Sequence, residues 1–284
     1  MFKNKISNKN LAIISLILSA LASVLLIIAV KLLDQAFSIA LSMTIRITLA
    51  AIITFVIFRS TIDLKKIFHT SKKTLFLLFI FGFLGYSLSI YLLSLGIVKS
   101  DVLTVSVILS TSPIWTYLIG IIFKLQKFKT NIFLLSLCSV VGVLAMNNTT
   151  TGLFNFGSSE TLGILLLCLA AIFSSIFYVF RNHLDKNLNS QEISFSILTV
   201  ASLTSFIFLF FEKSIVRYEL LFSWPIFFGL LLGVGLNISA NILNSFAFKH
   251  VNSVMGAQIL ILSNVFALII GTIFYAEYIS PLQF

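Results

Sequence analysis

Three asparagines interrupt an apolar stretch of the chain, LNISANILNS (236–245). Asn237, Asn241 and Asn244 are spaced i, i+4 and i+7, so in a helix they share one face. An amide that faced lipid without a partner would cost several kcal/mol, so this face should point toward protein or water. Two interpretations follow. The amides bind a polar ligand in a cavity, or they join neighbouring helices for about 0.6–2 kcal/mol each.

One charged residue lies in the middle of an apolar segment, SIALSMTIRITLA (38–50), at Arg46. A charge at such a depth is costly and normally faces the interior of a helix bundle or water. It either contacts a substrate carboxylate or is a structural cation bonded to backbone carbonyls or to a tyrosine. No acidic residue lies clearly inside another apolar segment, so the sequence offers no obvious ion-pair partner.

The composition is typical of a polytopic helical membrane protein. Of the 284 residues, 59% are hydrophobic and 10% are charged, and the mean hydropathy is +1.10. Apolar runs of roughly 18 or more residues recur along the whole chain. Both cysteines, Cys138 and Cys168, lie in such runs and are interpreted as small core residues. No zinc-type spacing occurs, and we expect neither a metal nor a cofactor.

The apolar runs and the charges between them predict nine membrane-spanning helices. Their predicted limits are roughly 11–33, 37–58, 74–96, 101–123, 131–147, 162–180, 193–211, 225–247 and 252–274. Ser15, Ser19 and Ser23 of the first span are interpreted as packing residues or as hydroxyls bonded back to their own helix.

The basic residues predict the orientation. With the N-terminus in the cytoplasm, the inner loops hold fourteen Lys and Arg residues and the outer loops hold four. This asymmetry predicts a multi-pass protein of the cell (inner) membrane with a cytoplasmic N-terminus. The pI of about 9.7 therefore reflects membrane insertion and contact with anionic membrane lipid, and nucleic acid is excluded as a partner.

An internal repeat appears when the chain is aligned with itself at an offset of 151 residues. VSVILSTSPIWTYLIGIIF (105–123) and GAQILILSNVFALIIGTIF (256–274) are then identical at seven of 19 positions. Five spans in the first copy is an odd number, so the second copy enters the membrane from the opposite side. Such inverted repeats are a recurring plan of secondary transporters, with the substrate site near the midplane.

The chain resembles the drug/metabolite transporter superfamily, in particular the EamA-type permeases. Arg46 matches an arginine that the family carries in its second span. LLSLGIVKSDVLTVSVILSTSPIWTYLIG (92–120), with Pro113 in its last helix, matches the family's small-residue turn followed by a helix with a central proline. NSFAFKHVNSVMGAQILILSNVFALIIG (244–271) repeats that passage, and Glu277 matches the acidic residue before the last helix.

Three features depart from the family pattern. Gln126 stands where the first repeat usually has glutamate, and Asn264 stands where the second repeat usually has proline. The chain stops at Phe284, where a partner of 131–147 would be expected at roughly 282–298. We therefore expect nine spans, with the tenth missing at the C-terminus.

The fold class expected from these observations is an all-α polytopic membrane protein, an inverted repeat of five-helix units. Residues 1–150 form the first EamA-like repeat, and residues 151–284 form the second, inverted and C-terminally truncated. We expect a central cavity between the first, third, fourth, sixth, eighth and ninth spans, which is also what the resemblance implies. The predicted substrate-binding residues are Asn237, Asn241, Asn244, Tyr86, Tyr91, Trp115, Gln258, Asn264 and Tyr178, with Arg46 as a structural or substrate-carboxylate contact.

The predicted function is a secondary carrier of the inner or plasma membrane. It would export a small metabolite, such as an amino acid, by alternating access as a monomer or homodimer. The chain has no metal motif, nucleophile elbow or paired intramembrane carboxylates, so we expect no enzyme activity. Two alternatives stay open: a flippase of lipids or isoprenoid carriers from the same superfamily, and a membrane scaffold that transports nothing.

Overall fold

The computed structural model describes residues 8–100, 102–109, 111–125, 127, 130–131, 133–134, 138, 159–180, 184, 188–212, 216–263, 265–267 and 269–270. Its regular structure is helical, which confirms the all-α class. In chain order, the helices are α1 (Asn8–Asp34), α2 (Ile39–Phe58), α3 (Leu64–Phe68), α4 (Lys72–Ile80), a π-helical segment (Phe81–Leu88), α5 (Ser89–Val98), α6 (Val102–Leu109), α7 (Ser112–Ile122), α8 (Ser159–Phe180), α9 (Ser190–Phe208), α10 (Trp224–His250) and α11 (Ser253–Leu260).

Six of the described helices are long and apolar enough to cross a membrane. They are α1, α2, the continuous α4–π–α5 rod (Lys72–Val98), α8, α9 and α10, and each overlaps one predicted span. Most of the predicted span 131–147 lies outside the described residues, as does the whole segment 271–284. The predicted total of nine spans therefore stays a prediction.

Two predicted spans are interrupted at the same place in the repeat. The span predicted over 101–123 consists of two short helices, α6 and α7, which meet at Thr111. Pro113 explains the break, because it has no amide hydrogen for the carbonyl four residues earlier. In the second copy, α11 ends in a tight turn at Ile261 and Leu262, whose amides bond three residues back at 3.2 and 3.1 Å.

The two halves of the bundle run in opposite directions. The end at which α1 begins is here named the first face, and the other end the second face. Ala12 and Leu16, near the start of α1, share a buried cluster with Phe177, near the end of α8. Val30, near the end of α1, clusters with Leu167 near the start of α8. Helices α1 and α8 are therefore antiparallel.

The offset of 151 residues relates the helices of the two halves. It carries α6 (102–109) onto 253–260, the bounds of α11. It likewise places α2 on 190–209, where α9 is found, and the α4–π–α5 rod on 223–249, where α10 is found. This correspondence and the antiparallel directions establish the inverted repeat. The proposed division at residue 150 lies outside the described residues.

One close approach between the halves depends on a glycine. A Cβ added to Gly96 of α5 would lie 2.5 Å from Leu167 Cγ and 3.1 Å from the carbonyl oxygen of Gly163, both in α8. Small residues at such a crossing let helix backbones approach closely, which is a common source of stability between membrane helices.

Two carboxylates, one at each end of α9, bond to the first half of the chain. At the second face, Glu212 accepts hydrogen bonds from the amides of Ile39 and Ala40 at 3.2 and 2.6 Å, and so caps the start of α2. At the first face, buried Glu192 binds Lys66 Nζ at 2.9 Å and accepts a bond from the amide of Asn189 at 2.7 Å. The segment around α9 is therefore tied to α2 at the second face and to α3 at the first face.

Replacing Glu192 should destabilise the protein. In Glu192→Ala, the Glu192 half of the capping box at the start of α9 and the link to Lys66 are lost together, which should lower the free energy of unfolding by about 1–3 kcal/mol. The thermal unfolding midpoint of the purified protein in detergent measures this change. Exposed Glu219 offers a matched control, since Glu219→Ala removes a carboxylate that has no such contacts. Equal midpoints for the two variants would contradict the role given to Glu192.

Candidate functional site

A cavity of about 180 Å³ lies inside the bundle, between α1, the π-helical segment, α5, the α6–α7 junction, α8, α9, α10 and the end of α11. Five predicted site residues line it: Asn237, Asn241, Asn244, Tyr86 and Tyr178. Serine hydroxyls complete its polar lining, from Ser19, Ser23, Ser89, Ser112, Ser174 and Ser263. The space is large enough for several water molecules or for a small organic ligand.

The amide groups in this wall are only partly satisfied by the protein. Asn237 and Asn241 are 1% and 4% exposed. The Tyr86 hydroxyl donates a hydrogen bond to Asn237 Oδ1 at 3.2 Å. The Nδ2 atoms of Asn237 and Asn241 and the Oδ1 atom of Asn244 are buried and have no partner among the described residues. Amides that served only to join helices would have these positions filled.

The hydrogen bond between Tyr86 and Asn237 joins two equivalent positions of the repeat. The two residues are 151 positions apart, which is the repeat offset. Two equivalent residues that touch must lie at the pseudo-two-fold axis that relates the halves. Asn237 is also the central residue of α10, about 20 Å from either end at 1.5 Å per residue. The cavity therefore lies at mid-depth on the pseudo-symmetry axis.

Tyr86 reaches the cavity from a π-helical segment, FGFLGYSL (81–88). Such segments are rare, cost hydrogen-bond geometry and often occur at functional sites. The equivalent residues 232–239 of α10 are ordinary α-helix. The two third spans of the repeat thus have different backbone geometry at the level of the cavity. The sequence shows no signal for this difference.

Arg46 lies beside the site without lining it. Its side chain is fully buried, and its Nε donates to the carbonyl oxygen of Ser42 at 3.3 Å, one turn earlier in α2. Its Nη1 and Nη2 atoms have no partner among the described residues. The aliphatic part of the side chain packs on Gly233, where an added Cβ would lie 2.7 Å from Arg46 Cδ.

Four predicted site residues are not placed in the cavity wall. Tyr91 of α5 stacks on Phe208 of α9 with ring centroids 4.5 Å apart. It projects from a different side of the α4–π–α5 rod than Tyr86. The Trp115 indole donates to Thr111 Oγ1 at 3.0 Å within its own helix region. Gln258 is half-buried outside the lining. Asn264 is outside the described residues.

Two lining residues of α1 were interpreted from sequence as packing residues. Ser15 and Ser23 do bond back to their helix, through the carbonyls of Leu11 and Ala20 at 2.8 and 2.7 Å. Ser19 and Ser23 nevertheless line the cavity. Their i, i+4 spacing is the signal that could have identified them, since it places them on one helix face.

Comparisons with known proteins agree with this architecture. Residues 10–148 and 161–284 match the model of the EamA-like transporter family. The uncharacterized transporter YdfC of Bacillus subtilis (strain 168) is 32% identical over 104 residues, which are 37% of this chain and 33% of that protein. The chain thus aligns with about a third of this relative. One solved crystal structure of a protein superposes with a TM-score of 0.73 at 13% identity, covering 96% of this chain and 90% of the other, and this likeness concerns the fold alone.

Two neighbouring glycines of α10 allow a matched test of the Arg46 packing. Gly233→Ala should push the Arg46 side chain out of position and lower the free energy of unfolding by about 1–3 kcal/mol. Gly235 has nothing within 4 Å of an added Cβ, so Gly235→Ala should leave stability unchanged or raise it slightly. The thermal unfolding midpoints of the two variants measure this difference in stability. A Gly233→Ala protein as stable as Gly235→Ala would show that the arginine is not held as described.

Proposed function

We propose that this chain, which belongs to the EamA-like transporter family, is a secondary carrier that exports a small polar metabolite, such as an amino acid, by alternating access. Membership of the family confirms the resemblance noted in the sequence and identifies the chain as a multi-pass membrane transporter. The substrate, the direction of transport and the mechanism are the subject of the proposal.

The main support for the proposal is the set of unpaired amides around the cavity. Asn237, Asn241 and Asn244 present buried donors and an acceptor to a space at mid-depth, on the axis that relates the two halves. Substrate sites of inverted-repeat carriers lie in this place. A scaffold that transports nothing gains no stability from unpaired amides, because each one is costly to bury. A flippase would favour an apolar path open to the bilayer.

The differing geometry of the two third spans supports alternating access. The π-helical geometry of 81–88 has no counterpart in residues 232–239. In a carrier made of inverted repeats, the two halves exchange conformations when the site turns from one side to the other. We therefore expect residues 232–239 to take the strained geometry, and residues 81–88 the regular one, in the opposite state.

The orientation and location are also part of the proposal. From the excess of Lys and Arg in the predicted inner loops, we infer that the first face and the N-terminus are cytoplasmic and that the chain lies in the cell (inner) membrane. Among the described residues, Lys66, Lys72 and Lys249 all lie at the first face. Proteins of this kind meet anionic lipid at their basic face.

Solvent access to Asn241 tests whether the cavity is wet. In a background with Cys138 and Cys168 replaced by alanine, Asn241→Cys should react with a membrane-impermeant maleimide from one or both sides of the membrane. Leu231→Cys provides the control, because residue 231 is 65% exposed on the outer surface of α10 and should lie in lipid. Complete protection of residue 241 in folded protein would favour helix packing over transport.

A transport assay with a metabolite panel tests the carrier function itself. Purified protein in liposomes should move at least one small polar metabolite down its gradient. Asn241→Leu should reduce this flux about tenfold or more, because it removes a hydrogen bond to the ligand. Leu231→Ala, on the lipid side of the same helix, should leave the flux unchanged. Flux of lipids but of no metabolite in the panel would favour the flippase.

A further inference from the structure

We infer that Arg46 and the amides of Asn237 and Asn241 form a subsite for the carboxylate of the transported ligand. In this arrangement the Tyr86–Asn237 hydrogen bond separates the subsite from the rest of the cavity. This inference rests on the proposed carrier function and adds the chemical class of its substrate. The ligand would be a small zwitterion with a free carboxylate at one end and a hydrogen-bond donor at the other.

The unpaired charge of Arg46 is the first argument. A fully buried guanidinium has five N–H donors, and within the described residues only the Nε–H is bonded, to the Ser42 carbonyl. A structural arginine in a membrane interior is normally bonded to carboxylates or to several carbonyls. Arg46 is therefore poised to accept an anionic partner.

The position of Arg46 relative to the cavity is the second argument. Gly233 leaves room for the arginine side chain, and Asn237 lies one turn further along the same face of α10. Tyr86 and Asn237 both line the cavity and are bonded to each other. The Arg46 side chain, packed on Gly233, thus lies one turn of α10 from this pair. When a ligand oxygen replaces Asn237 Oδ1 as the acceptor of the Tyr86 hydroxyl, the Tyr86–Asn237 hydrogen bond breaks. The ligand can then reach the Arg46 guanidinium.

The unpaired donors and the unpaired acceptor lie at different positions along α10, and this order predicts how the ligand is oriented. The unpaired donors, the Nδ2 atoms of Asn237 and Asn241, lie nearer along α10 than Asn244 to Gly233, on which Arg46 packs, and Arg46 is itself only a donor. The unpaired acceptor, Asn244 Oδ1, lies further toward the first face, with a rise of about 10 Å over the seven residues from Asn237. A carboxylate fits the donor end, and an ammonium or N–H group fits the acceptor end.

Acetate and acetamide, which have nearly the same shape and differ in charge, test the subsite without knowledge of the substrate. The probe is sodium acetate added to the purified full chain in lipid nanodiscs, compared with acetamide in sodium chloride at the same ionic strength. Acetate should raise the thermal unfolding midpoint by about 2–4 °C more than acetamide, because it binds the folded protein and neutralises Arg46.

Variants separate binding from a structural role. Arg46→Gln should abolish the acetate shift, while the ligand-free variant should melt at the same temperature as the wild type or higher, because an unpaired buried charge is removed. Arg46→Lys should keep part of the shift. Arg59→Gln is the matched control at the exposed end of the same helix and should keep all of it. A lower midpoint for ligand-free Arg46→Gln, or equal acetate shifts with and without the arginine, would overturn the inference.

These measurements need no transport, so they can fail or succeed independently of the proposed function. An Arg46-dependent acetate shift in a protein that moves no metabolite would leave the subsite standing and remove the carrier proposal. Unchanged flux of a carboxylate substrate in Arg46→Gln would leave the carrier proposal standing and remove the subsite.

Discussion

A helix bundle in lipid must satisfy its polar groups from within, and this constraint governs the centre of the molecule. The Tyr86–Asn237 hydrogen bond meets it at a place where the two halves present equivalent residues to each other. Within the described part of the chain, two amide nitrogens and one amide oxygen of the cavity wall and the ends of the Arg46 side chain beside it have no partner. Because unpaired buried groups are costly, we propose that these groups bind a ligand.

Contacts at both faces tie α9 to the first half of the chain. Glu192 bonds to Lys66 of α3 at the first face, Glu212 caps α2 at the second, and a hydrogen bond of 2.8 Å joins Thr48 of α2 and Ser202 of α9. The cavity lies against α1, α8, α10 and the π-helical segment, and Ile197 of α9 also lines it.

Local sequence patterns predicted the elements of this fold well, and long-range contacts poorly. The asparagine spacing of α10 correctly placed three amides in one wall, because helical periodicity alone decides which residues share a face. The repeat offset predicted that Tyr86 and Asn237 are equivalent, although not that they touch. The π-helical segment, the partners of Glu192 and the position of Tyr91 against Phe208 depend on which helices pack together. A single sequence carries no record of such contacts.

The most direct test of the central claim is a cross-link between the two residues on the axis. In the background without Cys138 and Cys168, the double variant Tyr86→Cys/Asn237→Cys should be joined efficiently by a short bifunctional thiosulfonate. The pair Tyr86→Cys/Leu231→Cys should not be joined, because residue 231 lies on the outer surface of α10. If the first pair also fails to cross-link while each single cysteine reacts with a small thiol reagent, the two halves do not meet at a shared central site.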